Sequence, residues 1–366
     1  MDRTKIAFFL PNLAGGGAEK VSINLLREMV KYKNLQIDLL LGNAEGDFID
    51  DVPEGVNVID LKTNRVLKTL PALIMYLRNS KPYSLLSHIS HTNVVALLAK
   101  RISNTNVRVF VVEHNNLSAR NTFLLRKRML RPLMKWLYPS AEHVVAVSEG
   151  VANTIHHQLK LNQTKIVTIY NPVVMPEIFE KMKVDLPHQW LNENTIPVFL
   201  AVGRFTEQKD FSNLLEAFAT TLKSIQAKLI ILGDGKLRAE LERKIATLDL
   251  NNHVSMPGFS ENPYSFMSRA TCFVLSSRYE GLPTVLIEAM ACGCNVVSTN
   301  CPSGPSEILK NGTLGILVPI EDHKKLAEAM VDSVKSPTSS EALKQRAEAF
   351  TPSAVVPKYV SLLTQK

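Results

Sequence analysis

The sequence predicts an α/β protein of two Rossmann-like domains, on three observations. A chain of 366 residues is long enough for about two domains. Short apolar runs alternate with amphipathic stretches, the pattern of parallel strands joined by crossover helices. The alternation lapses over 173–195, which is richer in Pro, Lys and Glu, and restarts at Pro197. The first domain is therefore expected to span 1–172 and the second 173–350. Hydrophobic residues make up 45% and charged ones 21%, ordinary for a globular chain.

Taken in order, residues 5–10 read as the first strand. Gly15, Gly16 and Gly17 follow, then a helix over 18–30 with Val21, Leu25, Leu26, Met29 and Val30 on one face. Strand, glycine loop and helix open a Rossmann-like unit. Its glycines either permit a tight turn or let a ligand approach the backbone. Strands are expected at 37–41, 84–87, 108–112, 143–148 and 165–172. Helices are expected at 67–78 and 92–101, with another beginning after Ser148 as cap. Ligands of parallel sheets bind beyond the carboxyl ends of strands, and His114 stands there, just after the 108–112 run. It is either a structural histidine or part of a site.

The stretch 123–138 interleaves Arg126, Lys127, Arg128, Arg131 and Lys135 with leucines, methionines, Trp136 and Tyr138. It reads as a helix kinked or split at Pro132. Such a helix either packs on its own domain with a solvated basic edge or lies on an anionic membrane surface.

In the second half, strands are expected at 197–203, 228–232, 271–277, 295–299 and 315–319, with a short strand and loop over 254–262. Helices are expected at 211–221, 237–248, 263–268, 284–291, 324–333, 341–349 and 357–363. Arg204 and Lys209 flank the loop after the 197–203 strand. They are either solvated surface charges or a diphosphate clamp, since charge-assisted bonds to phosphate are strong and Arg grips it in bidentate fashion.

Charge is uneven. Residues 1–172 hold 22 Lys+Arg against 13 Asp+Glu, a surplus of +9, whereas 173–366 hold 20 against 21, so the net +8 arises in the first half. A basic half suits an anionic partner. Four cysteines, at 272, 292, 294 and 301, lack metal-ligand spacing and read as buried free thiols of a reducing compartment. No apolar run approaches the 18–20 residues or so of a membrane span. A cytoplasmic chain, soluble or peripheral to the membrane, is expected.

The most informative stretch runs from Glu280 to Gly293. A buried strand leads into Glu280, Gly281 and Leu282; Pro283 suits the first position of a helix, and Gly293 its stop. The free N–H groups at the helix start, with the helix dipole, make an anion site. Glu280 is at its mouth and Glu288 about two turns in. By spacing alone this is equally a helix with two surface acids. Taken whole, Glu-Gly-Leu-Pro-Thr-Val-Leu-Ile-Glu over 280–288 resembles the signature of retaining glycosyltransferases of family 4, which have the two-domain GT-B fold. Val202-Gly-Arg-Phe, followed by Lys209-Asp210, resembles that family's diphosphate motif.

The resemblance covers nearly the whole chain and is strongest over 197–319. It implies two Rossmann-like domains facing across a cleft, the first for the acceptor and the second for a nucleotide-sugar, with segment 351–366 packing back on the first. Glu280 and His114 would contact the donor sugar, Glu288 the ribose, and Arg204 and Lys209 the diphosphate. Gly281, Leu282, Pro283, Thr284 and Val285 would form the diphosphate seat, through the N–H groups of all but Pro283. The loop from Val254 would lie against the base, and Gly16 and Gly17 would face the cleft.

The implied reaction is a retaining transfer with no cofactor and no metal, from a UDP-linked sugar. The leaving phosphate would help deprotonate the acceptor. The motifs at 15–21, 262–264 and 301–308 look most like bacterial transferases that add hexose or N-acetylhexosamine units to polyprenyl-diphosphate-linked oligosaccharides. One departure is Asn295, where the family commonly has proline; it is a packing position, and little effect on chemistry is expected.

Two alternatives come from other classes. A dinucleotide-dependent oxidoreductase would want G-x-G-x-x-G and an acid after the second strand, where this chain has Leu41-Gly42. A non-catalytic sugar-nucleotide binder shares the architecture. The basic stretch would allow nucleic acid, but no aromatic stacking platform accompanies a known nucleic-acid motif, and nucleic acid is not expected.

Overall fold

In the computed structural model, residues 3–14, 16–114, 124–185, 188–192 and 196–365 are described, apart from the side chains of 124–129. The chain divides into two compact units, 1–172 with 352–366, and 173–351.

The first unit holds a seven-stranded sheet in the order β3-β2-β1-β4-β5-β6-β7, parallel throughout. Its strands are β1 (Thr4–Leu10), β2 (Leu35–Leu41), β3 (Val56–Asp60), β4 (Ser84–His88), β5 (Arg108–Glu113), β6 (Val144–Ala146) and β7 (Ile166–Thr168). The helices between them are α1 (Gly17–Met29), α2 (Leu70–Ser80), α3 (Ser90–Ser103), α4 (Leu124–Leu137) and α5 (Glu149–Leu159). Residues 6–10 of β1 have no exposed surface, as expected of a central strand covered on both faces. Ser148 caps α5 through its Oγ, which accepts from the Val151 N–H.

Two local expectations change. β3 was not legible: Val-Asn-Val-Ile-Asp is polar and half exposed because it pairs only with β2 at the sheet edge. Helix α4 runs as one element through Pro132 instead of splitting there. The buried Met134 and Leu137, beyond the proline, anchor it; tertiary packing sustains a helix that has lost one bond.

The second unit repeats the plan with six parallel strands in the order β10-β9-β8-β11-β12-β13. It begins with α6 (Glu177–Lys181) and α7 (Gln189–Asn192), so 173–195 is not a bare linker. The Lys181 and Met182 carbonyls accept from Asn262 Nδ2 at 2.8 Å and Ser268 Oγ at 3.0 Å, which ties this segment down. Then follow β8 (Val198–Val202), α8 (Phe211–Thr221), β9 (Lys228–Leu232), α9 (Arg238–Thr247), β10 (Val254–Gly258), α10 (Pro263–Met267) and β11 (Cys272–Leu275). After these come α11 (Thr284–Ala291), β12 (Asn295–Thr299), α12 (Pro305–Ile308), β13 (Ile316–Val318), α13 (His323–Lys335) and α14 (Ser340–Ala347).

Asn295 opens β12, and its amide donates to the Ser333 carbonyl at 2.8 Å and accepts from the Thr338 N–H at 3.2 Å. It fastens the end of α13 to the sheet and has a packing role. Finally α15 (Pro352–Thr364) belongs to the first unit, where it packs on α1 and where Tyr83 OH donates to the Gln365 carbonyl at 2.7 Å.

Candidate functional site

In the second unit the strand order reverses between β8 and β11. Crevices of open α/β sheets form at such a point, beyond the carboxyl ends of the strands. The two loops that leave there are 203–210 and 276–283, and they are fastened to each other. Ser276 Oγ donates to the Lys209 carbonyl at 2.7 Å, and the Arg278 N–H to the Gln208 carbonyl at 2.8 Å. The Arg278 guanidinium grips the buried Asp210 carboxylate at 2.9 and 3.2 Å. Asp210 has φ +48°, a left-handed conformation that Asp and Asn tolerate better than most residues.

Glu280 is the focus of this junction and is only 8% exposed. Its Oε1 accepts from Lys209 Nζ and from Ser277 Oγ, both at 2.7 Å. Its Oε2 accepts from Gln208 Nε2 at 3.3 Å. Sequence reasoning places Lys209 as a free phosphate clamp; the structure pairs it with Glu280, which leaves part of its ammonium for a ligand. Arg204 is different. It is exposed, and its guanidinium has no hydrogen bond or ion pair among the described residues. A cation held open at a strand's carboxyl end is what an anionic ligand needs.

Two glycines shape this ground. Gly233, after β9, has φ +132°, and a Cβ there would lie 2.0 Å from the Gly203 carbonyl oxygen. Gly304 has φ +93°, and a Cβ would lie 2.4 Å from Pro283 Cδ, so only glycine lets the 301–304 loop close on 281–283. Gly233→Ala is expected to destabilise the protein by about 1–3 kcal/mol, because the backbone of 203 must move as well as the strained φ be held. Urea unfolding measures it.

The 284–291 helix has the expected bounds as α11, but Pro283 is its N-cap and not its first residue. No side chain caps this end, so the first-turn N–H groups of Thr284 and Val285 point out of the helix without an intrahelical acceptor. Gly281 and Leu282 form the turn before it. Glu288 is buried on the second turn, with Tyr264 OH 3.4 Å from its Oε1.

Val254 requires a correction. It is the first residue of β10 and pairs with Leu229, at the amino end of the sheet, whereas Gly258 pairs with Leu232 at the carboxyl end. Four residues of strand separate Val254 from the crevice, about 13 Å. Gly258 and Phe259, which is 80% exposed, are the residues of this segment at the crevice end. Nothing in the residue pattern of 254–262 marks where the strand stops.

All four cysteines are free and buried. Burial, with Glu280 nearby, pushes the Cys301 thiol up to about 12, so it is protonated at neutral pH. Among the described residues, no group of three or more His, Cys, Asp or Glu side chains could hold a metal ion.

In the first unit the strand order reverses between β1 and β4. Gly16 is the N-cap of α1 and Gly17 its first residue, while Gly15 lies outside the described residues. A Cβ at Gly17 would meet nothing within 4 Å, so packing does not explain glycine there. His114 follows β5, and its Nε2 lies 2.9 Å from Nδ1 of His88, a residue sequence reasoning missed. Next to them Glu113 is buried and accepts from Ser90 Oγ at 2.8 Å, from Asn93 Nδ2 at 3.0 Å and from Tyr138 OH. Burial raises its carboxyl above the ordinary value, against the pull of these three bonds. Asn115 lies outside the described residues.

Burial lowers His114 from 6.5 to about 4, and His88 well below its ordinary value. Between pH 4 and 6.5 the unfolded chain therefore binds protons that the folded chain does not. Stability is expected to fall as pH is lowered through that window, and to level off above it. Denaturant midpoints measured from pH 4.5 to 8 in wild type and His114→Asn check this.

Comparison with known proteins adds the following. Residues 15–175 match the family model described as Glycosyltransferase Family 4, and residues 185–350 that described as Glycosyl transferases group 1. The Campylobacter jejuni N-acetylgalactosamine-N,N'-diacetylbacillosaminyl-diphospho-undecaprenol 4-alpha-N-acetylgalactosaminyltransferase is 27% identical over 363 residues, 94% of each chain. An uncharacterized glycosyltransferase of Methanocaldococcus jannaschii is 32% identical over 254 residues, 67% of this chain and 62% of that one. The structure of Anabaena HepE in complex with UDP and glucose shares the fold, with a TM-score of 0.81 over 100% of both chains at 19% identity.

Proposed function

The chain belongs to the glycosyltransferases that join a family 4 half to a group 1 half, and on that premise we propose that it moves a hexose or N-acetylhexosamine from a UDP-sugar to a glycan or polyprenyl-diphosphate-linked acceptor. The observation that carries this reading is the junction at the β8/β11 reversal, where the Lys209–Glu280 pair stands on fastened loops beside the open Arg204. The name of the Campylobacter relative, a GalNAc transferase acting on a diphospho-undecaprenol substrate, supports the acceptor class. The UDP in the HepE complex supports the donor nucleotide.

In this reading Arg204, the Lys209 ammonium and the N–H groups at the start of α11 receive the diphosphate. Charge grows on the leaving oxygen as the sugar's C–O bond breaks, and preoriented cations and dipoles stabilise it without reorganising. They supply the positive charge themselves, so the transfer runs without a bound metal or cofactor. Glu280, oriented by Ser277, Gln208 and Lys209, positions the donor sugar, and Glu288 the ribose. The acceptor hydroxyl attacks from the side the diphosphate leaves, its proton passes to the leaving phosphate oxygen, and the anomeric configuration is retained.

A melting screen over UDP-, GDP-, ADP- and dTDP-sugars tests the donor. A ligand at 100 times its Kd adds about 2.7 kcal/mol of stability. A shift with one UDP-sugar, lost in Glu288→Ala, is the expected result. No shift with any nucleotide, in folded protein, contradicts the reading.

A lipid-linked acceptor places the protein on the cytoplasmic face of the membrane, held peripherally through 123–138. Among the described residues no helix is long and apolar enough to cross a membrane. Arg131 and Lys135 are exposed on α4, as is Trp136 at 55%, with the Arg101 guanidinium 4.8 Å from its ring centroid. Phe123 and the side chains of Arg126, Lys127 and Arg128 lie outside the described residues. Each basic residue near an anionic surface contributes on the order of 1 kcal/mol. Co-sedimentation with phosphatidylglycerol vesicles is therefore expected at low salt and is weakened by Lys135→Glu; equal binding to neutral vesicles contradicts it.

A further inference from the structure

His88 closes β4 with no exposed surface, at the strand-order reversal of the first unit. Two rings lie nearly parallel to its own. The Phe8 centroid is 6.0 Å away at an interplanar angle of 14°, and the His114 centroid 5.2 Å away at 22°. The rings of His88 and His114 are joined by the 2.9 Å contact between Nδ1 and Nε2. Neutral imidazoles share one proton across such a contact, so one ring donates and the other accepts.

The environment of the far nitrogen decides which. His88 Nε2 is buried and has no hydrogen-bond partner among the described residues. If His114 donated, the remaining proton of His88 would have to sit on that Nε2, as a buried N–H with nothing to receive it. A buried N–H with no acceptor is rare, and rarer than an acceptor left without a donor. If His88 donates from Nδ1, its Nε2 is a bare ring nitrogen and no N–H is orphaned. His114 then carries its own proton on Nδ1, which is not among the buried unpartnered atoms.

We propose that His88 is a positioning residue, which donates its Nδ1–H to His114 Nε2 and so holds His114 in the tautomer that presents an N–H from Nδ1. His114 then meets a ligand as a hydrogen-bond donor, its ring held nearly coplanar with the fully buried His88 ring by the bond between them, and its basic nitrogen is occupied. It orients a sugar oxygen and does not remove a proton. This consequence for turnover rests on the glycosyl-transfer reading; the tautomer does not.

The direct test is a two-bond nitrogen–proton correlation spectrum of the full chain with ¹⁵N-labelled histidine at pH 7.5, assigned with His88→Asn and His114→Asn. The expected result is a protonated Nδ1 and a bare Nε2 on His114, with a protonated Nδ1 on His88. A protonated Nε2 on His114 overturns the proposal. Kinetics give a second measurement. Asn can place its amide N–H near the position of Nδ1, whereas Leu cannot donate. His88→Leu is expected to lose on the order of 10- to 100-fold in kcat with the donor KM nearly unchanged, as for a misplaced contact. His88→Asn should recover most of it. Equal losses in both variants contradict positioning by donation. If the Leu variant does not fold, the wild-type spectrum alone decides. A wild-type protein that shows the expected tautomer but transfers no sugar removes the transfer reading and leaves the tautomer standing.

Discussion

Glu280→Gln is expected to lower kcat by about 10²- to 10³-fold while donor-induced stabilisation persists, the magnitude typical of one lost preorganised contact. The carboxylate is surrounded by donors only: Lys209 and Ser277 on Oε1, Gln208 on Oε2. An amide must turn its NH₂ toward one of these donors, whichever way it is flipped. The Lys209 ammonium also loses its counter-charge where both side chains are largely shielded, at 17% and 9% exposure. The fastened loops keep the fold, since Arg278, Asp210 and Ser276 hold them independently of Glu280. The variant therefore separates binding from turnover. If it transfers sugar at the wild-type rate, Glu280 does not position the reacting sugar, and a plain structural ion pair accounts for it.

Arg204→Ala is expected to leave folding unchanged and turnover sharply reduced. Arg204 is exposed and its guanidinium has no hydrogen bond or ion pair among the described residues, so removing it should change stability by no more than about 0.5 kcal/mol, the usual range for a surface substitution. Its loss from kcat/KM should nevertheless be large, about 10²-fold or more, because one cation fewer faces the diphosphate as it leaves. Arg204→Lys should recover only part of this, for an ammonium keeps the charge but not the bidentate geometry. An unchanged melting temperature together with an unchanged kcat/KM shows Arg204 to be a solvated surface charge.

The parts of the fold legible in the sequence were those whose punctuation is local. Gly281 and Pro283 before a helix, and Gly293 after it, set the bounds of α11, and an unbroken apolar run set β8. The edge strand β3 has no such apolar run. The extent of β10 failed for a related reason: Val254 and Gly258 look alike as strand residues, and only pairing with β9 shows which of them reaches the crevice.

At the site, the sequence named Lys209 and Glu280 as separate contributors. They bond across 71 positions of chain, and so does the Asp210–Arg278 clamp across 68; no spacing rule reaches that far. His88 was invisible because a histidine ending an apolar strand reads as core. Its importance comes from lying beside His114, which the order β4-β5 brings about.

The central claim is that this chain transfers a sugar using its own cations. The most direct measurement incubates the protein with UDP-N-acetylhexosamines and UDP-hexoses, a polyprenyl-diphosphate-linked saccharide and excess EDTA, and follows acceptor mass. The account predicts a gain of one sugar residue with one of these donors, at a rate that EDTA leaves unchanged and that Arg204→Ala and Glu280→Gln abolish or nearly so. No gain with any donor, or a gain that the two variants leave intact, contradicts it.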